Sequence, residues 1–464
     1  MESTDYEHGA VPADQRKSWI SIAAVWIAIG IDLSGAFLGV ALATGMPFWP
    51  AITATVTGSL LLGLLAMACA YVGAATGLST AMLSRAVFGK IGGAVLAIAL
   101  AVSLLGWFAV QAGFFGSNAQ IAFSELTGLE VPVQLFTAIG GVLMVLTALW
   151  GYRSISRLST LAVPLLLLLL VVGVVVAFAT FGAGGLDSPV ETTITFGGAV
   201  SLVMGIFILG VVSAPDMARW AKSPRQAMAA GFVGFFFGNS IIIVVAILLA
   251  RVMDQSELMT IYFTLGLGLV AVVVLILAQW TTNTTNIYSA ALSFSSISGR
   301  LNRRTLTIVG GAVGIVIAVA GAADFFVPFI LAIGVIIAPY GGVYLAAYLT
   351  GRRGSRFTPG AAVPTVDVWA VVAWAAGIFV ALATTNPADG LGFGWASITT
   401  ISALDGLLAG FVVYLALAPL RQRELPGAAP TGEDASAPAA AEDDEPSGAE
   451  KPRATARANG EVTA

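Results

Sequence analysis

Of the 464 residues, 58% are hydrophobic and only 10% charged, against roughly 45–50% and 25% in ordinary soluble domains, so a soluble globular protein is excluded and a polytopic membrane protein is indicated. The net charge of −4 hides the distribution that matters, because the carboxylates gather near the two ends of the chain. The single histidine, His8, lies in a polar leader and the single cysteine, Cys69, in an apolar run, which excludes an intramembrane histidine triad, a His/Cys metal cage and an intramolecular disulfide.

Residues 1–17 form a polar leader, and no cleavable signal peptide is expected because the first apolar run is too long and follows that leader. Twelve apolar runs follow, at 18–44, 49–72, 92–120, 134–150, 158–181, 197–214, 227–253, 261–296, 306–320, 325–349, 368–383 and 403–420. An all-α protein of twelve transmembrane helices is predicted. The first run, long enough to span a bilayer, carries Gly30, Asp32, Ser34 and Gly35 at its middle. An aspartate at a helix centre costs roughly 2.5–3.5 kcal/mol on insertion scales, so a partner, water, a bound cation or a proton must offset it. Glycines on both sides make a helix break cheap, and a broken membrane helix is tolerated where its freed backbone lines a cavity. Asp32 is therefore read as half of a binding site; the blander alternative is a neutral acid bonded to a neighbouring helix.

In the third run Ser103, Trp107, Gln111 and Phe115 recur at four-residue steps, so Trp107 and Gln111 project one above the other. An aromatic face beside an amide suits a flat, hydrogen-bonding heterocycle, with a packed Trp and a Gln tied to a neighbouring helix as the alternative. The sixth run repeats the glycine-flanked character in Gly205-Ile206-Phe207-Ile208-Leu209-Gly210, which predicts a second broken helix with Phe207 facing the cavity of Asp32. Asp216 and Arg219, three apart, read as a surface pair of little weight, with an inner-gate pair as the alternative. The eighth run is polar from Gln279 to Asn286, with Gln279, Asn283 and Asn286 on one face. Two adjacent hydroxyls here plus unwound carbonyls from the first run would cage a small hard cation such as sodium, unless the polar groups serve only as interhelical glue. Gly341-Gly342 after Pro339 predicts a bend or a close helix contact, and Asp405 is given no role.

Basic residues alternate with the runs: Arg16 and Lys17, Arg85 and Lys90, Arg153 and Arg157, Arg219 and Lys222, and onwards to Arg421 and Arg423 all fall on one side, and only Arg251 falls on the other. The positive-inside rule then predicts an even number of spans with both termini cytoplasmic. Residues 421–464 turn to Ala, Pro, Glu and Gly and are expected to be a disordered tail.

The stretches Gly73-Ala74-Ala75-Thr76-Gly77-Leu78-Ser79-Thr80, Gly106-Trp107-Phe108, Asp216-Met217-Ala218-Arg219-Trp220, Phe236-Phe237-Gly238-Asn239-Ser240, Trp280-Thr281-Thr282-Asn283 and Pro339-Tyr340-Gly341-Gly342-Val343 stand in an order and spacing that resembles nucleobase:cation symporter family 1, most of all its bacterial cytosine permease branch. The resemblance implies a five-plus-five inverted-repeat core over residues 18–349, two additional helices over 350–420, and a substrate ring stacked between Trp107 and Phe207. Gln111 resembles the substrate-binding glutamine of hydantoin-type relatives, and Asp32 and Asn283 complete the candidate substrate contacts. The cation would be held by Thr281, Thr282 and the carbonyls of Ala278, Ala28 and Asp32. This chain departs from the cytosine branch in carrying Leu104, Ile206, Leu209 and Ala278 where polar side chains are usual, and Asp32 where an apolar one is.

The expectation is a secondary transporter of the plasma membrane, lipid-embedded, with no cofactor and no nucleic-acid partner. It would import cytosine, another pyrimidine, a purine, or a hydantoin or allantoin type of heterocycle by cation symport with alternating access. Alternatives are a proton-coupled carrier of a cationic heterocycle such as a vitamin precursor, and a channel, whose lining would show rings of like residues. An enzyme is not expected, because no intramembrane histidine or acid pair is present.

Overall fold

The computed structural model describes residues 13–150, 152–298, 302–351, 357 and 363–424. His8, Arg300, Arg352, Arg353, Arg356 and the tail beyond 424 lie outside the described residues. Among the described residues the chain is all-helical, with no strand. The elements are α1 (Trp19–Gly30), α2 (Leu33–Gly45), α3 (Phe48–Thr76), α4 (Thr80–Thr127), α5 (Val133–Trp150), α6 (Tyr152–Phe181), α7 (Phe196–Val212) and α8 (Pro215–Ala218). They continue as α9 (Pro224–Met253), α10 (Leu258–Thr264), α11 (Gly268–Ser298), α12 (Arg303–Val319), α13 (Phe326–Gly351), α14 (Val368–Thr384) and α15 (Ser402–Glu424). Among the described residues seven helices are long and apolar enough to cross a membrane, or eight if α1 with α2, bent by 52° at Ile31–Asp32, counts as one span.

The break in the first span falls where the glycines predicted it, but the glycines serve packing rather than backbone freedom. Gly30 does not adopt a positive φ, and a Cβ there would lie 2.9 Å from Cα of Gly238 on α9. Gly35 and Gly39 likewise let α2 approach α9, where a Cβ would meet Ile242 at 2.6 Å and the carbonyl of Ile243 at 2.5 Å. Both half-helices thus lean on one neighbour, which fixes the position of the break between them. Gly30→Val forces backbone apart from backbone, and overpacking of this kind costs about 1–3 kcal/mol or more. A lower melting temperature of the purified variant is the expected result; an unchanged one would contradict the close-approach role.

Two other breaks are set differently. Gly89 interrupts α4 with φ 84° and ψ 180°, a conformation that favours glycine. The amides after it, Lys90 and Ile91, donate to the carbonyls of Pro364 and Thr365 at 2.9 Å each. In the sixth run the helix is not broken at Gly205–Gly210 as the spacing predicted: α7 is continuous through both, and the chain turns at Ser213–Ala214 before α8. Gly205 instead admits α13, since a Cβ would stand 2.9 Å from the carbonyl of Ile330. Pro339, Gly341 and Gly342 form a close contact, with Gly377 and Gly406 packed against the Pro339 ring.

The exception to the charge asymmetry has a local cause. Arg251 is buried in the last turn of α9, where a cation complements the helix dipole, and its Nη2 donates to the carbonyl of Ser188 at 3.0 Å. Asp405 is buried too and accepts from the amide and hydroxyl of Thr399 at 3.1 and 2.6 Å, tying the preceding loop to α15. At the basic end Lys17 lies 5.8 Å over the Trp220 ring and Arg303 4.7 Å over that of Tyr288, both cation–π contacts.

Candidate functional site

Asp32 is the N-cap of α2, with extended backbone at φ −115° and ψ 147°. Its carboxylate Oδ2 accepts from the Ser34 amide at 3.3 Å and from the Ser34 hydroxyl at 2.5 Å. A carboxylate at a helix N-terminus is favoured both by the unpaired amides and by the helix dipole, so the break supplies much of what offsets an acid at this depth. Gln111 on α4 donates from Nε2 to the Ser34 hydroxyl at 2.7 Å and to Asp32 Oδ2 at 3.3 Å. The Thr282 hydroxyl on α11 lines the cavity beside the same carboxylate. Three helices far apart in sequence thereby meet around one acid.

Asp32 faces a cavity of about 410 Å³, lined also by Trp107, Gln111, Phe207, Thr282 and Asn286, within the size range of small-molecule sites. On α4 the lining residues Leu100, Leu104, Trp107 and Gln111, and on α11 Thr282, Asn286, Ser289 and Ser293, follow the same 0, 4, 7, 11 stripe of one helix face. The cavity runs from Asp32 towards the basic end, past Ser213 to Asp216. In the other direction aromatic rings close it. Trp107 meets Phe329 and Phe326 edge-on at 5.2 and 6.3 Å, and Phe114 meets Phe326 at 5.0 Å and stacks on Phe37 at 3.9 Å. Beyond that plug lies a second cavity of about 630 Å³, bordered by Gln120, Gln134, Glu257 and Asp324.

The expected site residues Asp32, Trp107, Gln111, Phe207 and Thr282 therefore meet in one place. Asn283 does not join them. It is fully buried on the far side of α11 and donates to the Phe108 carbonyl at 3.0 Å and to Met144 Sδ at 3.2 Å, locking α11 to α4 and α5. Asn286 takes the cavity position, because the exposed stripe starts from Thr282 rather than Gln279. Ser289 and Ser293, two further polar lining residues, lie on the same stripe and were legible by extending it.

For a cation the donors are neutral oxygens beside one acid. The Thr281 hydroxyl donates to the Ala278 carbonyl at 3.0 Å, which inside a continuous α11 also accepts a helical amide, so free acceptor capacity remains on the hydroxyl oxygen rather than on the carbonyl. α1 ends at Gly30, so carbonyls of its last turn, that of Ala28 among them, lack amide partners within the helix. Among the described residues no cluster of three His, Cys, Asp or Glu side chains exists; oxygen donors of this kind suit a hard ion. Asp216, read from sequence as a surface pair with Arg219, is instead a tie between helices: its Oδ1 accepts from the Thr80 amide in the first turn of α4 at 2.7 Å. Arg219 Nε donates to the backbone carbonyl of Asp216 at 3.3 Å.

The sequence model of the family described as permease for cytosine/purines, uracil, thiamine, allantoin matches residues 10–413. The cytosine permease of Escherichia coli (strain K12) is 30% identical over 428 residues, spanning 91% of this chain and 96% of that protein. Among solved structures, Mhp1 in its inward-facing conformation superposes with a TM-score of 0.77 at 19% identity, covering 91% of this chain and 94% of the other. Mhp1, a nucleobase-cation-symport-1 family transporter, in a closed conformation with bromovinylhydantoin bound, gives 0.73 at 19% identity, covering 91% and 96%. At these identities the two structures establish the shared fold.

Proposed function

The chain belongs to the family of permeases for cytosine/purines, uracil, thiamine and allantoin, a family of multi-pass membrane transporters and not enzymes, and from that premise we propose that it imports a flat nitrogen heterocycle by cation symport. The observation that carries this reading is the meeting of a broken first span, an aromatic and amide pair on α4 and a hydroxyl on α11 around one cavity. The cytosine permease relative and the bromovinylhydantoin-bound neighbour bracket the compounds to try.

In this reading there are twelve spans: α1 with α2 form the first, α7 with α8 the sixth, and α10 is an outer-loop helix. The first ten spans form the inverted-repeat core, and both termini are cytoplasmic in the plasma membrane. The substrate lies against Trp107 and Phe207, and sodium sits among Thr281, Thr282 and the carbonyls of Ala278, Ala28 and Asp32. The aromatic plug from Trp107 to Phe37 is the closed outer gate, so the cavity reaching Asp216 is the release path. Symport requires both ligands to favour the same conformation, so each tightens the other.

The test is a thermal-shift screen of the purified full chain against pyrimidines, purines, hydantoins and allantoin, with and without sodium, followed by uptake into proteoliposomes. At least one compound is expected to raise the melting temperature in a saturable, sodium-assisted way and to be taken up saturably. Uptake that never saturates would favour a channel, and no stabilisation by any compound would sink the reading.

A further inference from the structure

The way Gln111 is held dictates which of its two polar ends the substrate meets. Both bonds made by the amide are donated by Nε2, to Ser34 Oγ and Asp32 Oδ2. The flipped amide would set its carbonyl oxygen against a carboxylate oxygen, so the network admits one orientation. Gln111 is 4% exposed, lines the cavity, and its Oε1 has no hydrogen-bond partner. A buried acceptor left in this state is costly, and a ligand donor would satisfy it. The one hydroxyl proton of Ser34 is spent on Asp32, so after accepting from Gln111 it can offer a ligand only a further acceptor lone pair. What the α2–α4 wall offers an incoming ring is therefore a carbonyl oxygen beside a carboxylate: two acceptors, one of them charged.

The surroundings carry the same sign. The central cavity is bordered by Asp32 and Asp216 and the outer one by Glu257 and Asp324, and among the described residues no Lys, Arg or His lines either. A route bounded by carboxylates alone attracts cations and repels anions.

We propose that the substrate is a cationic heterocycle presenting two neighbouring N–H donors, as a protonated amino-imidazole or amino-pyrimidine does, with one donor on Gln111 Oε1 and the other on Asp32. This rests on the transport reading above and narrows it. An oxo-heterocycle such as uracil or hydantoin sets a carbonyl oxygen between its two ring N–H groups and a second one beyond the inner of them. One of those oxygens would face the carboxylate, a mismatch of the kind that lets a polar site reject a close isostere strongly. The apolar faces of Trp107 and Phe207 serve a planar cation by stacking and cation–π contact, which a bare metal ion cannot use.

The test compares matched flat rings on the purified full chain: 2-aminobenzimidazole against 2-benzimidazolinone, and 2-aminoimidazole against hydantoin. Binding is measured calorimetrically with and without sodium. Wild type is expected to favour the amino member of each pair at least about ten-fold, and this ratio needs no variant. Asp32→Asn, which keeps an N-cap residue at the break, is expected to bring the ratio close to one while the protein elutes as the same monodisperse species. Equal or tighter binding of the oxo compounds by wild type overturns the proposal and leaves the transport reading standing. Sodium weakening the amino compounds by simple competition assigns the carboxylate to the metal and also overturns it. If neither set binds, this proposal falls, and the transport reading stands or falls on the wider screen.

Discussion

Trp107→Ala is expected to weaken binding of the transported heterocycle about ten- to hundred-fold, the effect of losing one base–aromatic stack worth roughly 1–3 kcal/mol. The ring borders the central cavity one helical turn from Gln111 and is braced edge-on by Phe326 and Phe329, so its orientation is set before any ligand arrives. Truncation also removes a prop from the aromatic plug, and the variant should melt lower than wild type. Trp107→Phe separates the two effects: it restores a stacking face and should recover most of the affinity. Isothermal titration of the three proteins with one ligand from the screen checks this. Affinity within two-fold of wild type in the alanine variant would remove Trp107 from the binding site.

Thr282→Ala is expected to abolish the sodium dependence of substrate binding. Coupling free energies between two ligands typically run about 1–3 kcal/mol, or roughly five- to 150-fold in affinity, and in the wild type that factor should appear as tighter heterocycle binding when sodium replaces choline. Thr282 is placed to carry it because its hydroxyl lines the same cavity beside the Asp32 carboxylate, between the two candidate ligand positions. In the variant the factor should fall to near one, with the sodium-free affinity little changed. Thr285→Ala is the control, since that hydroxyl donates to the Thr281 carbonyl at 3.0 Å and is absent from the cavity lining. Equal wild-type affinities in the two salts would rule out sodium as the coupling ion, and a pH series would then test the proton.

Asp32 shows how much of the site could be read in one dimension. Its cost in lipid, with glycines on either side, marked the first span as broken, and the helix does break at Ile31–Asp32. The four-residue spacing of Trp107 and Gln111 put them on one face, and that face borders the cavity. The same reasoning misplaced two features for one reason. Gly205 resembled the glycines of the first span but serves to admit Ile330, while a Cβ at Gly210 would make only ordinary contact with Phe235, because glycine answers equally to a break and to a close neighbour. Asn283 was grouped with the wrong face of a helix polar all round, where only the neighbours on α4 and α5 decide which polar groups are glue and which meet the cavity.

The sequence alone determined what the lipid imposes on it. Helices with internally paired backbones, the lengths of the apolar runs, and the asymmetry of basic residues all follow from a solvent that cannot hydrogen-bond, and each is local in the chain. Tertiary structure decided what depends on partners 77 or more residues apart, such as the bond from Gln111 to Ser34 and the tie from Thr80 to Asp216 across 136. Which end of the Gln111 amide is tied to α2 is set by that packing, because a side-chain amide can turn either end towards a neighbour until a carboxylate fixes it.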